Sequence, residues 1–170
     1  LRVVSLAYAV HVRAEEVQAA IHDIAHHFDQ MLHDYAHAGH DPINSCLEMR
    51  VTDADRADAV GVSGAVPAML SPGLPIGGSE RIVWIDLVTT PGMPLAWEFY
   101  AEYEAWLWEH FPGCLRPEWS KAWAVSADGP WTDPTVLAWV REAIRPAVAT
   151  WDALDARGVF GSPLLDRLRS

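Results

Sequence analysis

Runs of apolar, β-branched residues divide the chain and predict four strands. They cover residues 3–12, 47–52, 81–90 and 118–125. Within the runs the apolar residues are nearly continuous and do not alternate cleanly with polar ones. Strands of this kind are usually buried on both faces. The sequence therefore predicts a sheet that is covered on two sides.

Apolar residues that recur every three or four positions predict helices over residues 14–38, 94–110 and 134–154. The apolar side of the first helix carries Val17, Ile21, Ile24, Phe28, Met31, Leu32 and Tyr35. The apolar side of the second carries Trp97, Tyr100, Tyr103, Leu107 and Phe111. Pro146 is expected to kink or end the third helix, because proline cannot donate the backbone hydrogen bond of a helix interior.

The order of these elements implies an α+β fold, in which an antiparallel or mixed sheet has helices packed on one face. Something else must then cover the other face. A length of 170 residues, of which 51% are hydrophobic, suits one domain with a substantial core. Residues 53–79 form a long connection whose apolar content is unusual for a solvated loop.

Composition and charge exclude several classes of function. The formal charge of −11 repels phosphate backbones, so nucleic acid is not an expected partner. No apolar stretch is long enough to span a bilayer. The two cysteines are too few for a disulfide framework. Because the chain opens on Leu1 directly in strand-like sequence, we expect residues 1–170 to be a segment of a longer protein, and the cellular compartment stays open.

Charged residues inside strand-like sequence are the candidate functional residues. Glu48 and Arg50 stand two apart on a strand and therefore face the same side. They are either a switchable pair at a site or an ordinary surface ion pair. Glu118 and Lys121 stand three apart, so they share a face only if a bulge or a strand end intervenes; otherwise Lys121 extends to solvent. Asp86 lies within a strand. It is either a buried polar group that contacts a ligand or a residue turned toward a solvated edge of the sheet.

Histidines are concentrated in the first predicted helix. Five of them, opposite the apolar side, project from one face: His22, His26, His33, His37 and His40. Pairs at i, i+4 can chelate Zn²⁺ or Ni²⁺, but no Glu or Cys completes a tetrahedral set. The pattern favours a solvated helix face and leaves a metal-binding module as an alternative.

Three passages of the chain resemble a known family. They are PINSCLEMRVT (residues 42–52), CLRPEWSKAWA (residues 114–124) and RGVFGSPLLDRL (residues 157–168). Together they resemble the vanillyl-alcohol oxidase superfamily, and within it the substrate-binding (cap) domain of bacterial class II cholesterol oxidases, which carry covalent FAD. Polyol and aldonolactone oxidases of the superfamily share similar patterns but typically have His before the Trp, where this chain has Glu118.

The resemblance implies that residues 1–170 form a cap domain in the C-terminal part of a longer oxidase, covering a flavin held mainly by an FAD-binding domain of the same polypeptide. Glu48 and Arg50 would match a pair that gates a channel to the flavin. Glu118 and Lys121 would match charged residues near the flavin ring, with Lys121 stabilising negative charge on it. Asp86 would be a polar residue of the substrate cavity.

The apolar loop suits a sterol better than a sugar, and it includes Met69 and Leu70 as expected lining residues. The resemblance thus implies oxidation of a sterol 3β-hydroxyl with O₂ as acceptor. A polyol or aldonolactone oxidase cap is the alternative within the superfamily.

Overall fold

The computed structural model describes residues 2–56, 61–65, 71–118, 121, 134–161, 166 and 169. Its strands are β1 (Val4–Val12), β2 (Leu47–Asp53), β3 (Arg81–Thr89) and β4 (Leu115–Pro117). Its helices are α1 (Val17–His37), which follows a 3-10 turn at Ala14–Glu16, α2 (Ala96–His110) and α3 (Pro134–Leu154). The predicted α+β class is confirmed.

The four strands form an antiparallel sheet in the order β2-β3-β1-β4. The inner strand β1 pairs with both β3 and β4 and is buried along most of its length, as its continuous apolar sequence predicts. Strand β2 lies at an edge and is largely exposed. The expectation of a sheet covered on both sides therefore holds for the inner strands and is wrong for this edge strand, whose sequence LEMRVTD also carries the most charge.

One face of the sheet packs against α1 and α2. Its side chains come from alternate positions of β1 and β3, and Leu6, Tyr8, Val83 and Ile85 are almost completely inaccessible to solvent. All seven apolar residues predicted for α1 belong to or pack against this core. Helical periodicity was sufficient to orient α1 because its apolar and polar sides are sharply separated.

The buried side of α2 differs from the prediction. Trp97 is 53% exposed, and Phe99, which the pattern did not select, is fully buried beside Tyr100 and Tyr103. The Tyr100 hydroxyl contacts the carbonyl oxygens of Val4 and Leu87, each at 3.0 Å, and so ties the helix to the sheet. Nearly every turn of α2 carries an aromatic residue, so periodicity alone could not decide which ring enters the core.

Two expectations for the C-terminal part of the chain are revised. The structure has a short strand, β4, that ends at Pro117, just before the strand predicted at residues 118–125. Glu118 and Lys121 lie in no strand, and residues 119, 120 and 122–125 lie outside the described residues. Helix α3 has the predicted bounds. It continues through Pro146 to Leu154, so Pro146 does not end the helix. No helix in the described part of the chain is long and apolar enough to cross a membrane.

The described parts of the long connection are held at its base. The amide of Asp55 donates to the carbonyl of Gly73 at 2.7 Å, and the Ser71 hydroxyl donates to the Asp55 carboxylate at 2.7 Å. A Cβ atom at Gly73 would lie 2.5 Å from that carboxylate, so any other residue there would displace the Asp55 side chain from this position. The predicted lining residues Met69 and Leu70 lie outside the described residues.

Candidate functional site

All five charged residues selected from the sequence meet on the face of the sheet opposite α1 and α2, which we call the charged face: Glu48, Arg50, Asp86, Glu118 and Lys121. Glu48 on β2 lies directly opposite Asp86 on β3, and Asp86 lies opposite Ala7 on β1. In the next row, Arg50 lies opposite Trp84, followed by Ala9 and then Arg116 of β4. The register thus places an acidic row beside a basic one.

Asp86 and Lys121 form the tightest contact on the charged face. The Lys121 Nζ donates to Oδ2 of Asp86 at 2.5 Å. Asp86 is buried, and within the described residues its Oδ1 is also inaccessible and accepts no hydrogen bond. A buried carboxylate needs a partner because leaving water costs it several kcal/mol, on the order of the gain from an ion pair. Lys121 supplies that partner.

The end of β4 explains how Glu118 and Lys121 reach the same face. The amide of Glu118 still donates to the carbonyl of Ala7 at 3.1 Å, one residue beyond the strand. The amide of Lys121 donates to the carbonyl of Glu118 at 3.1 Å, so neither residue continues β4. Residues three apart face opposite sides in a continuous strand. The strand end removes that restriction, which was one of the alternatives left open by the sequence.

Glu48 and Arg50 form a looser pair on the edge strand. The Arg50 Nε lies 3.3 Å from Oε1 of Glu48, and both side chains are more than half exposed. Exposed pairs of this kind contribute about 0–1 kcal/mol to stability. The guanidinium can therefore leave the carboxylate at little cost, which a switch requires.

A cleft of about 460 Å³ opens beside this pair. Arg50 and Glu118 line it together with Trp84, and its remaining lining residues are Thr52, Asp53, Asp55 and Pro72. The cleft thus joins the edge strand, the end of β4 and the clasped base of the long connection. A second, more apolar cavity of about 340 Å³ lies at the end of α3, against Trp151, Leu154 and Phe160, and no residue selected from the sequence lines it.

Trp84 is a site residue that the sequence analysis did not select. Its indole N–H donates to the Thr52 hydroxyl at 2.9 Å, so the ring has a fixed orientation in the wall of the cleft. Neither residue forms a recognisable motif. Their meeting depends on the register of β2 against β3, which a single sequence does not reveal.

His11 was also missed, and it connects the charged face to the long connection. Its Nε2 lies 2.7 Å from the carbonyl of Pro72, and its Nδ1 lies 3.4 Å from the Ser79 hydroxyl. Because burial disfavours the charged imidazolium, the pKa of His11 is lowered to about 4. The neutral ring therefore donates from Nε2 to the carbonyl and accepts at Nδ1 from Ser79.

Arg116 is the third missed residue, although it lies inside the CLRPEWSKAWA passage. It is half-buried on β4 opposite Ala9, in the row that begins with Arg50, and burial lowers the pKa of its guanidinium. Arg50, Arg116 and Lys121 together give the charged face three cations. This donor set suits a ligand that carries or develops negative charge.

The histidines of α1 lie on the other side of the sheet. The rings of His22 and His26 stack at 5.7 Å, and the rings of His27 and His110 both stack on the ring of Trp106, at 4.1 and 4.7 Å. Nowhere in the described residues do three potential ligands from His, Cys, Asp or Glu come together as a metal site. The arrangement is that of an aromatic, partly solvated helix surface.

Comparisons with known proteins identify the relatives of this chain. The family model described as "Cholesterol oxidase, substrate-binding" matches residues 1–170. No protein in a search of curated sequences matches.

Three solved structures are similar over 99% of this chain. A solvent-stable cholesterol oxidase is 34% identical with a TM-score of 0.85, and a cholesterol oxidase from B. sterolicum is 27% identical with a TM-score of 0.84. A mutant of the cholesterol oxidase from Brevibacterium sterolicum is 28% identical with a TM-score of 0.82. This chain spans 34% of the length of each of them.

Proposed function

The chain belongs to the cholesterol oxidase substrate-binding family, and from this premise we propose that it forms the substrate side of the active site in a longer FAD-dependent alcohol oxidase. The proposed substrate is a sterol, oxidised at its 3β-hydroxyl with O₂ as acceptor to give a ketosteroid and hydrogen peroxide. The FAD-binding domain is proposed to be another part of the same polypeptide. The observation that carries the proposal is the meeting of Glu48, Arg50, Asp86 and Lys121 on one face of the sheet, beside the cleft.

The chemistry of the charged face fits a flavin. When bound, the cofactor accepts the hydride from the carbon that bears the hydroxyl. Lys121 is the proposed cofactor-facing cation, because a fixed positive charge stabilises negative charge that develops nearby. Its contact with Asp86 holds the ammonium in a defined place, so little reorganisation is needed during the reaction.

Arg50 is proposed to switch between Glu48 and the cleft. The pair is exposed and long, at 3.3 Å, and Arg50 also lines the cleft. In one position the guanidinium pairs with Glu48. In the other it extends into the cleft and controls access of substrate or oxygen to the reacting atoms.

The carboxylates are proposed to handle the hydroxyl proton. Glu118 lines the cleft and Glu48 stands at its border beside Arg50. A carboxylate within hydrogen-bond reach can accept the proton that leaves the alcohol oxygen. Asp86 is proposed to be a polar residue of the cavity, and Met69 and Leu70 are proposed to add apolar lining for the hydrocarbon rings.

The experiment uses the longer protein with its flavin. Under anaerobic conditions, cholesterol is expected to bleach the absorption band of the oxidised flavin, and xylitol is expected to leave it unchanged. Bleaching by xylitol alone would assign the chain to the polyol branch. A protein that binds no flavin, or that responds to neither compound, would overturn the proposal.

The switch has its own test. Arg50→Ala is expected to slow flavin reduction or reoxidation at least tenfold, about the 1.4 kcal/mol that corresponds to one lost charged hydrogen bond. Arg145→Ala is the matched control, since Arg145 also forms an exposed pair, with Glu142 at 2.8 Å on α3. Unchanged rates for both half-reactions in Arg50→Ala would reject the switch.

A further inference from the structure

We propose that Asp86 is a positioning residue for Lys121, and that the small side chain of Ala7 makes this contact possible. The inference rests on the proposed function of the charged face and deepens it, because it identifies what determines where the proposed cofactor-facing cation stands. In this assignment Asp86 acts through Lys121, and this role is separate from any contact that Asp86 makes with substrate.

The strand order makes the contact a long-range one. Lys121 follows the edge strand β4, whereas Asp86 lies on β3, and the inner strand β1 runs between them. Adjacent strands are separated by about 4.8 Å, so the lysine must extend across β1 to reach the carboxylate. Ala7 is the β1 residue directly opposite Asp86, and its carbonyl accepts the amide of Glu118. A larger side chain at this position would stand in the path of Lys121.

The charges of the neighbourhood require this cation. Asp86 lies directly opposite Glu48, and like charges in such cross-strand positions repel each other. Arg50 already pairs with Glu48. Lys121 is the one lysine of the 170-residue sequence, so no other ammonium group of this chain can replace it. The acidic row therefore holds Lys121 at Asp86.

The position of the amine can be measured by its reactivity. The test uses the full polypeptide that contains this chain, without substrate, and follows acylation of Lys121 by acetic anhydride with peptide mass spectrometry. Before the nitrogen can attack the anhydride and release acetate, the ammonium must leave the carboxylate and lose a proton. Asp86→Asn is expected to accelerate acylation of Lys121 about tenfold, the factor implied by loss of a hydrogen bond to a charged group.

The matched control is Asp152→Asn, which makes the same change on α3, away from the cleft, at a carboxylate that pairs with Arg169 at 3.0 Å. It is expected to leave acylation of Lys121 unchanged. Ala7→Val keeps Asp86 intact and is expected to raise the rate as Asp86→Asn does. Asp86→Glu retains the charge on a longer side chain, and an intermediate rate is expected.

Equal acylation rates in the wild type and in folded Asp86→Asn would overturn the proposal. If circular dichroism shows that Asp86→Asn is unfolded, Ala7→Val and Asp86→Glu decide instead, and wild-type rates in both would overturn it. The readout requires no sterol turnover. A failed flavin-bleaching experiment would therefore reject the proposed function and leave the positioning role of Asp86 standing. Equal acylation rates would reject the positioning role and leave the proposed function standing.

Discussion

The charged face carries two ion pairs that differ in structure. In Glu48–Arg50 the side chains are 51% and 61% exposed, and the contact is 3.3 Å long. In Asp86–Lys121 the side chains are 9% and 34% exposed, and the contact is 2.5 Å long. The difference follows from the strands that carry them, because β2 is an edge strand and β3 an inner one. An edge strand offers a pair that can switch, and an inner strand offers one that stays fixed.

The largest effect is expected from removing the cation of the buried pair. Lys121→Met keeps the length of the side chain but leaves Asp86 buried without its counter-charge. We expect a loss of about 3 kcal/mol in the free energy of unfolding, at the low end for a broken buried pair because Lys121 is partly exposed. Urea denaturation measures it.

A double-mutant cycle tells whether this loss belongs to the pair. Asp86→Leu combined with Lys121→Met is expected to be more stable than the sum of the single changes predicts, by about 1–3 kcal/mol. Additive effects would mean that the two residues do not act on each other, and that the comparison between the two pairs is mistaken.

The next largest effect is expected from acid, through the buried neutral His11. Its folded pKa of about 4 lies below the ordinary 6.5, so the unfolded chain binds the proton first as the pH falls. The contribution of neutral His11 to the free energy of unfolding is present above pH 6.5 and is lost as the pH falls from 6.5 towards 4. Between pH 7 and pH 5 the expected loss is about 2 kcal/mol.

His11→Gln is the control for this pH dependence, because glutamine retains a donor for the Pro72 carbonyl. The pH dependence of unfolding in this variant is expected to be shallower by the same amount. Burial also lowers the pKa of His27, and that contribution cancels in the difference between the two proteins. Parallel pH profiles would contradict the burial of His11 as a neutral group.

A smaller effect is expected at the wall of the cleft. Thr52→Val removes the oxygen that accepts the Trp84 indole N–H while keeping the shape of the side chain. The expected loss is about 1 kcal/mol, the usual contribution of one hydrogen bond. Thr150→Val on α3 is the control, since its hydroxyl contacts a carbonyl of its own helix. Equal losses in the two variants would show that the indole contact has no special value.

The smallest effect is expected from the exposed pair. Glu48→Gln should change the free energy of unfolding by less than about 0.5 kcal/mol, because both partners are solvated and easily screened. A loss of 2 kcal/mol or more would show that this pair is as fixed as the buried one. The distinction between a switching and a fixed pair would then fail.

Hydrophobic periodicity predicted most of the fold, and it did so best where one side of an element is polar. Helix α1 is the clear case, since every apolar residue chosen for it contacts the core. Periodicity failed for Trp97 and Phe99 of α2, where aromatic residues occupy several sides and the contacts with the sheet decide which ring is buried.

The candidate site was predictable as a set of residues and not as an arrangement. Side chains alternate between the two faces of a strand, so the spacing of Glu48 and Arg50 was enough to predict that they share a face. The partners of Asp86 depend on which strands are neighbours and on where β4 ends, and neither is encoded in a local pattern. Trp84 and His11 were missed for the same reason, because their neighbours come from distant segments.

The inner position of β1 has a consequence for how the protein folds while it is being synthesised. This strand is made early in the described chain, yet its two partners, β3 and β4, are made only after the long connection and after α2. Until then β1, a mostly apolar strand, lacks both of its partners, and pairings so distant in sequence form slowly. During synthesis the nascent chain can therefore aggregate through β1. Variants that fold more slowly should depend more strongly on chaperones.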